Sequence, residues 1–234
     1  MLKKKFFFLE ITSKHFTLIT SLFIYNANAA STVTVFAASS LTESFKVLGK
    51  QFEKSHPGIK VIFSFQSSSN LLMQIRAGAP AYIFVSAEPF EGGTNYVKNS
   101  VVVAVPKSSQ LAKVSDLNRS IAWIQCAHEV PCGAAADAAL VGENVSSKPV
   151  SLEPKATSAV AKLLAGEVDA AIIYKTDVIA NKELRAIEFA NKKAAQTNYQ
   201  IALLSKKRWT KSVFNFLKST NSLKLLQAKG FELK

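Results

Sequence analysis

Apolar residues along this chain follow two alternating rhythms. In one they run consecutively or at every second position: TVTVFAA (32–38), KVIFSF (60–65), AYIFVSA (81–87), SVVVAVP (100–106), SIAWIQ (120–125), VSL (150–152), DAAIIY (169–174) and NYQIALL (198–204). That pattern predicts strands. In the other they recur every three or four residues. Leu41, Phe45, Leu48 and Phe52 form such a stripe, ended by Pro57 and Gly58. SNLLMQIRAG (69–78) forms another, with Gly78 placed to stop it, and GAAADAAL (133–140) and TSAVAKLLAG (157–166) follow. The tail, carrying Trp209, Val213, Phe216 and Leu217, then Leu223, Leu225 and Leu226, predicts two helices that end at Gly230. Strands that alternate with helices imply mostly parallel sheets covered on both faces, an α/β fold.

The first thirty residues stand apart from this alternation. Lys3, Lys4 and Lys5 give a positive start, FTLITSLFIY (16–25) a short apolar stretch, and Ala27 to Ala29 the small residues of a cleavage site. The segment therefore reads as a signal peptide over 1–30, too short in its apolar part to span a bilayer. No cysteine stands near the expected cut, so the expectation is a soluble periplasmic protein and not a lipoprotein. Cleavage would remove four lysines and one glutamate and lower the net charge from +13 to +10. The lysines are scattered, and the densest cluster, Lys206, Lys207 and Arg208, lacks interleaved aromatics, so this basicity reads as a solvated surface and no nucleic-acid partner is expected. With 48% hydrophobic residues, the chain can bury a sizeable core.

Candidate chemistry concentrates where strands hand over to helices, the place where open α/β sheets bind ligands. These junctions read AASSLTE (37–43), QSSSN (66–70), VPCG (130–133) and EPKATS (153–158), followed by the strand end IIY (172–174). All are small, neutral and rich in hydroxyls. Ser40 to Glu43 fits a capping box, and Ser68 or Ser69 can cap the next helix. Capping does not exclude ligand binding, since a helix start also presents free N–H groups and the positive end of the dipole to an anion. Several such starts converging on one cleft would surround a small oxyanion with donors, without needing arginine or lysine.

Catalysis finds less support. G-x-S-x-G is absent, and beyond residue 30 only His56 and His128 are available as imidazole bases, both in expected surface turns. Two cysteines and two histidines follow no zinc-ligand spacing, and no cofactor motif is present. Cys126 and Cys132, six positions apart in QCAHEVPCG, are compatible with a disulfide or with two buried thiols.

Five blocks, VTVFAASSLTESF, FSFQSSSNLLMQIRAGAPAYIFVSA, NSVVVAVPKSS, VPCGAAADAAL and GEVDAAIIYKTDV, in this order and covering most of the chain beyond residue 30, resemble the periplasmic molybdate-binding proteins of ABC transporters. The resemblance implies a two-lobed type II periplasmic binding protein with lobe I at 31–100 plus 204–234, lobe II at 101–203, and crossover strands near 100–106 and 198–204. It implies a monomer that holds molybdate or tungstate between its lobes and hands it to a permease and, through it, an ATPase. Carried over motif by motif, the ligand groups are the hydroxyls of Ser40, Ser68 and Tyr174 and the backbone N–H groups of Cys132 and Ala156, with Ser39 and Ser69 as neighbours one residue out of register. Another oxyanion or a small carboxylate is the alternative ligand, for which a cation in the cleft would argue, Lys155 being the one at hand. A serine hydrolase is the alternative of another class. Relatives continue after IFVSA with DQ and a helix, whereas this chain runs EPFEGGTNYVKNS (88–100), which predicts an uncovered flank on the first sheet and raises the alternative of a degenerate copy that no longer transports.

Overall fold

A computed structural model describes residues 31–233; the expected signal segment lies outside them. Strands and helices alternate from the start: β1 (Ser31–Ala38), α1 (Thr42–Ser55), β2 (Ile59–Gln66), α2 (Ser68–Arg76) and β3 (Ile83–Ser86). The long β4 (Thr94–Pro106) follows, then β5 (Trp123–Cys126), α3 (Pro131–Leu140), β6 (Ser151–Glu153), α4 (Ala156–Leu164), β7 (Ala170–Tyr174) and α5 (Lys175–Ala180). The chain ends with β8 (Leu184–Ile187), β9 (Gln196–Leu203), α6 (Arg208–Leu217), α7 (Thr220–Ala228) and β10 (Glu232–Leu233).

Two sheets share β4. In the first, β1 pairs in parallel with β2 and β3, and β3 pairs antiparallel with β9. Residues 94–100 of β4 lie antiparallel to β9, and residues 101–106 continue into the second sheet against β7 and β8. There β5 is parallel to both β6 and β7. β9 bonds throughout to first-sheet strands, from Gln196 onward.

The alternation of side chains explains the layers. Val33, Val35 and Ala37 of β1 point into a core shared with α1, α6 and α7, while Phe36 points to the other face, where Leu71 of α2 meets it. In the second sheet, Val101, Val103 and Val105 face α3, and Val102 and Ala104 face α4 and α5. Apolar residues at every position of 101–105 thus reflect burial on both faces, as the sequence pattern implies.

The shortened segment after β3 does not leave the first sheet open. Phe90 packs on Phe84 with ring centroids 4.7 Å apart, and Phe84 and Phe36 remain 1% and 6% exposed. The Phe90 N–H donates to Gln200 Oε1 at 3.0 Å, fastening the loop to β9. The expected uncovered flank is therefore closed by one aromatic side chain and α2. The same segment also runs as strand from Thr94, six residues ahead of the predicted start, with a bulge between Asn95 and Lys98.

Candidate functional site

Four strand-to-helix junctions and one strand end meet around a single cavity. Ser39 and Ser40 enter it from the turn after β1, Ser67 and Ser68 from the start of α2, Pro131 and Cys132 from α3, Lys155 and Ala156 from α4, and Tyr174 from the end of β7. All five residues singled out for ligand contact, Ser40, Ser68, Cys132, Ala156 and Tyr174, lie on its wall. The space in which a water-sized sphere can move is only about 10 Å³, so the two sides stand close together.

Local structure explains why these groups keep their hydrogen-bonding capacity. The capping box expected over Ser40–Glu43 does not form: a 3-10 turn at Ser39–Leu41 precedes α1, and Thr42 Oγ1 donates to the Ser39 carbonyl at 2.6 Å. Ser40 Oγ instead lies 2.6 Å from the hydroxyl of Tyr199. At α2 the cap is Ser67, whose hydroxyl accepts from the Asn70 N–H at 3.4 Å, rather than Ser68 or Ser69. Ser68 Oγ is released from capping and accepts the Ala87 N–H at 2.8 Å, which leaves its own proton free. Ser69 points elsewhere, donating to the Glu129 carbonyl at 2.9 Å on the far side of the cleft.

The helix starts supply the remaining donors. Pro131 opens α3, and the Gly133 and Ala134 N–H groups both donate to the Val130 carbonyl. Cys132 has no preceding helical carbonyl to donate to, and neither does Ala156 at the first position of α4; neither helix has a side-chain cap. Cys126 and Cys132 are joined in a disulfide with Cα atoms 5.6 Å apart, so of the two states left open by spacing the bonded one is formed. It ties the start of α3 to the end of β5. Gly133 is demanded by the same close approach, since a Cβ there would stand 1.9 Å from the Ala127 carbonyl oxygen.

Tyr174 is 2% exposed, and its hydroxyl has no hydrogen-bond partner among the described residues. An orphaned buried hydroxyl costs roughly 1–3 kcal/mol unless something binds it. Burial foremost, with the nearby Asp177 and Glu88 carboxyls contributing, pushes its pKa up to about 12, while the hydroxyls of Thr197 and Tyr199, close by but outside hydrogen-bond geometry, pull the other way. Tyr174 is therefore a neutral donor at physiological pH. Asp177 Oδ2 is enclosed without a partner among the described residues although the residue as a whole is only partly buried, and burial raises this carboxyl to about 7 against the opposing hydrogen bond from the Tyr174 backbone. Burial likewise raises Glu88 beside Ser69. Among the described residues, Lys155 is the one cationic residue on the wall.

The histidines lie elsewhere. His56 stacks on Phe52 with centroids 4.1 Å apart, and His128 Nδ1 lies 2.5 Å from Asp137 Oδ2; neither lines the cavity. Among the described residues, no cluster of three or more His, Cys, Asp or Glu side chains could hold a metal ion, and no helix is long and apolar enough to cross a membrane. Sequence reasoning missed Tyr199 and Asp177. The first sits inside a predicted strand as an ordinary alternating aromatic, and the second follows the strand end by three residues.

A fold of two sheets bridged by one long strand, with helix starts gathered between them, defines a solute-binding protein, and the comparisons agree: residues 33–232 match the model of the bacterial extracellular solute-binding protein family, to which this chain belongs. It is 29% identical over 193 residues to the molybdate-binding protein ModA of Mycobacterium tuberculosis H37Rv, an alignment covering 76% of this chain and 74% of that one. It is 28% identical over 232 residues to ModA of Escherichia coli K12, covering 86% and 89%. Among solved structures, the periplasmic molybdate-binding protein of Azotobacter vinelandii superposes with a TM-score of 0.72 at 17% identity, over 86% of this chain and 99% of that chain. A phosphate-bound substrate-binding protein from Clostridium perfringens superposes at 0.69 with 10% identity, over 87% and 100%. The architecture is the type II periplasmic binding protein fold.

Proposed function

We propose that this protein is the substrate-binding component of an ABC transporter, exported to the periplasm as a soluble protein by its N-terminal segment, that captures molybdate and the isosteric tungstate and delivers them to a membrane permease driven by an ATPase. Ser40, Ser68 and Tyr174 donate hydroxyl hydrogen bonds, and Cys132 and Ala156 donate backbone N–H groups. The observation that carries this reading is the buried Tyr174 hydroxyl with no hydrogen-bond partner among the described residues, on one wall with two serines and two uncapped helix starts. The names of the relatives support the choice of ion.

The chemistry of capture follows from the donor set. A doubly negative oxyanion loses its hydration shell on entering the cavity, and each water is replaced by an O–H or N–H whose dipole already points inward. Helix starts add the positive end of their dipoles. No proton moves and no bond breaks, so binding is reversible and transport requires only that the lobes part. With a narrow cavity, entry requires opening and retention follows closure, which the bond from Ser69 to the Glu129 carbonyl helps to hold. Because the donors are neutral, discrimination against sulfate rests on cavity dimensions.

Lys155 on the wall favours a second reading, a phosphate-like or carboxylate ligand held partly by charge. Thermal unfolding with molybdate, tungstate, sulfate and phosphate separates the two. A ligand at about a hundred times its Kd stabilises by about 2.7 kcal/mol, or roughly 5–10 °C in a chain of this size. Molybdate and tungstate should give that shift and sulfate and phosphate none; a shift with phosphate alone would favour the second reading.

A further inference from the structure

We infer that Tyr199 is a positioning residue that directs the Ser40 proton into the cavity, an inference that rests on the reading of Ser40 as an oxyanion donor. The two residues are 159 positions apart in the chain, on the turn after β1 and on β9, and their hydroxyl oxygens lie 2.6 Å apart. Each hydroxyl has one proton. Were Ser40 to spend its proton on Tyr199, it would face an anion with lone pairs and repel it. A phenol is a far stronger acid than an aliphatic alcohol, and so the better donor of the pair. With Tyr199 donating, one lone pair of Ser40 is occupied and the serine proton is free to turn toward a ligand.

Ser68 shows the same arrangement from the other side of the cavity. There the Ala87 N–H donates to the serine oxygen at 2.8 Å, and again the serine proton is left over. Two serines on different junctions, each fed by a protein donor, are what a pair of anion-binding hydroxyls requires. Capping alone would have used the serines as acceptors of their own helix N–H groups, and neither does so.

The surroundings of Tyr199 keep its hydroxyl aimed. The residue is 0% exposed, its ring meets Phe231 edge-on at 5.7 Å and Tyr174 at 6.2 Å, and β9 is paired on both sides, with β3 and β4. The nearby Asn99 accepts from the Ser100 N–H at Oδ1 and gives one Nδ2 proton to Thr176 Oγ1, and its second Nδ2 proton is available to the Tyr199 oxygen, which leaves the Tyr199 proton for Ser40. Donors in series also polarise one another, so the hydrogen bond from Ser40 to the ligand is strengthened by the one it receives.

The test is a double-mutant cycle read by calorimetry with sodium molybdate: wild type, Tyr199→Phe, Ser40→Ala and the double variant, with circular dichroism and ligand-free unfolding for each. Tyr199→Phe keeps the ring contacts and removes only the hydroxyl. It should weaken binding about tenfold, and on the Ser40→Ala background it should cost nothing further, a result that a merely structural role for Tyr199 would not produce. Unchanged affinity in Tyr199→Phe, losses that add across the two sites, or failure of Tyr199→Phe to fold would each overturn the inference while leaving the function intact. Absence of molybdate binding in the wild type, or no loss in Ser40→Ala, would instead strike the premise, and the inference with it.

Discussion

Adding one methyl group at Gly133 tests how tightly the amide donor of α3 is held. In Gly133→Ala the new Cβ would lie 1.9 Å from the Ala127 carbonyl oxygen, 2.5 Å from its carbon and 2.7 Å from the Cys126 carbonyl oxygen. These are backbone atoms, so no side chain can rotate away, and α3 or the Ala127 peptide must move by about an ångström to restore ordinary contact. The disulfide between Cys126 and Cys132 spans this same point and resists that movement. Overpacking of this kind costs about 1–3 kcal/mol, which in a chain of this length lowers Tm by roughly 2–12 °C. The shift also carries the adjacent Cys132 N–H away from the cavity, and losing a hydrogen bond to a charged ligand costs about 1.5–3 kcal/mol, or roughly 10- to 150-fold in Kd. Differential scanning calorimetry and titration with molybdate measure the two effects separately. An unchanged Tm would refute the contact argument, and an unchanged Kd would refute the role of the Cys132 amide.

Other expectations follow from the same geometry. Ser68→Ala should weaken molybdate binding by about 1.5–3 kcal/mol in calorimetry, whereas Ser69→Ala, which loses the bond to the Glu129 carbonyl, should mainly speed dissociation in stopped-flow experiments. Replacing both cysteines by alanine opens a loop with a sequence separation of 6, which should cost about 2 kcal/mol by loop entropy and lower Tm by several degrees. Burial raises the Asp177 carboxyl to about 7 from an ordinary 3.8, so the folded state holds this proton where the unfolded chain has released it. Its contribution to stability is complete below about pH 4 and fades as pH rises through 7; unfolding between pH 5 and 8 should show stability rising toward pH 5, and Asp177→Asn should flatten that slope.

Burial on both faces wrote itself into the sequence as unbroken apolar runs, which is why the 101–105 half of β4 and β7 were legible, and one-sided burial as the three-to-four-residue stripe of Leu41, Phe45, Leu48 and Phe52, which is why α1 was. The 94–100 half of β4 was not. Its bulge breaks the two-residue alternation, and Asn99 is buried there because its amide is satisfied by Ser100 and Thr176. β8 and β10 were missed because charged residues interrupt such short strands, and α5 because its six residues are too few to establish a period. At the site, residue type and junction marked the five segments and the family resemblance the residue within each, and all five residues line one cavity. What local pattern could not supply were relations across the chain: that Ser67 leaves Ser68 free by taking the cap, that the Ser40 capping box is forgone for a tyrosine 159 residues away, and that Phe90 does the covering work of a missing helix.

The most direct test of the neutral donor cage is a crystal structure of the protein with molybdate bound. The account predicts an anion between the two sheets with its oxygens at about 2.7–3.2 Å from Ser40 Oγ, Ser68 Oγ, the Tyr174 hydroxyl and the Cys132 and Ala156 nitrogens, within the ordinary range for such bonds. An anion seated instead on the Lys155 ammonium, with the Tyr174 hydroxyl still unpartnered, would contradict it.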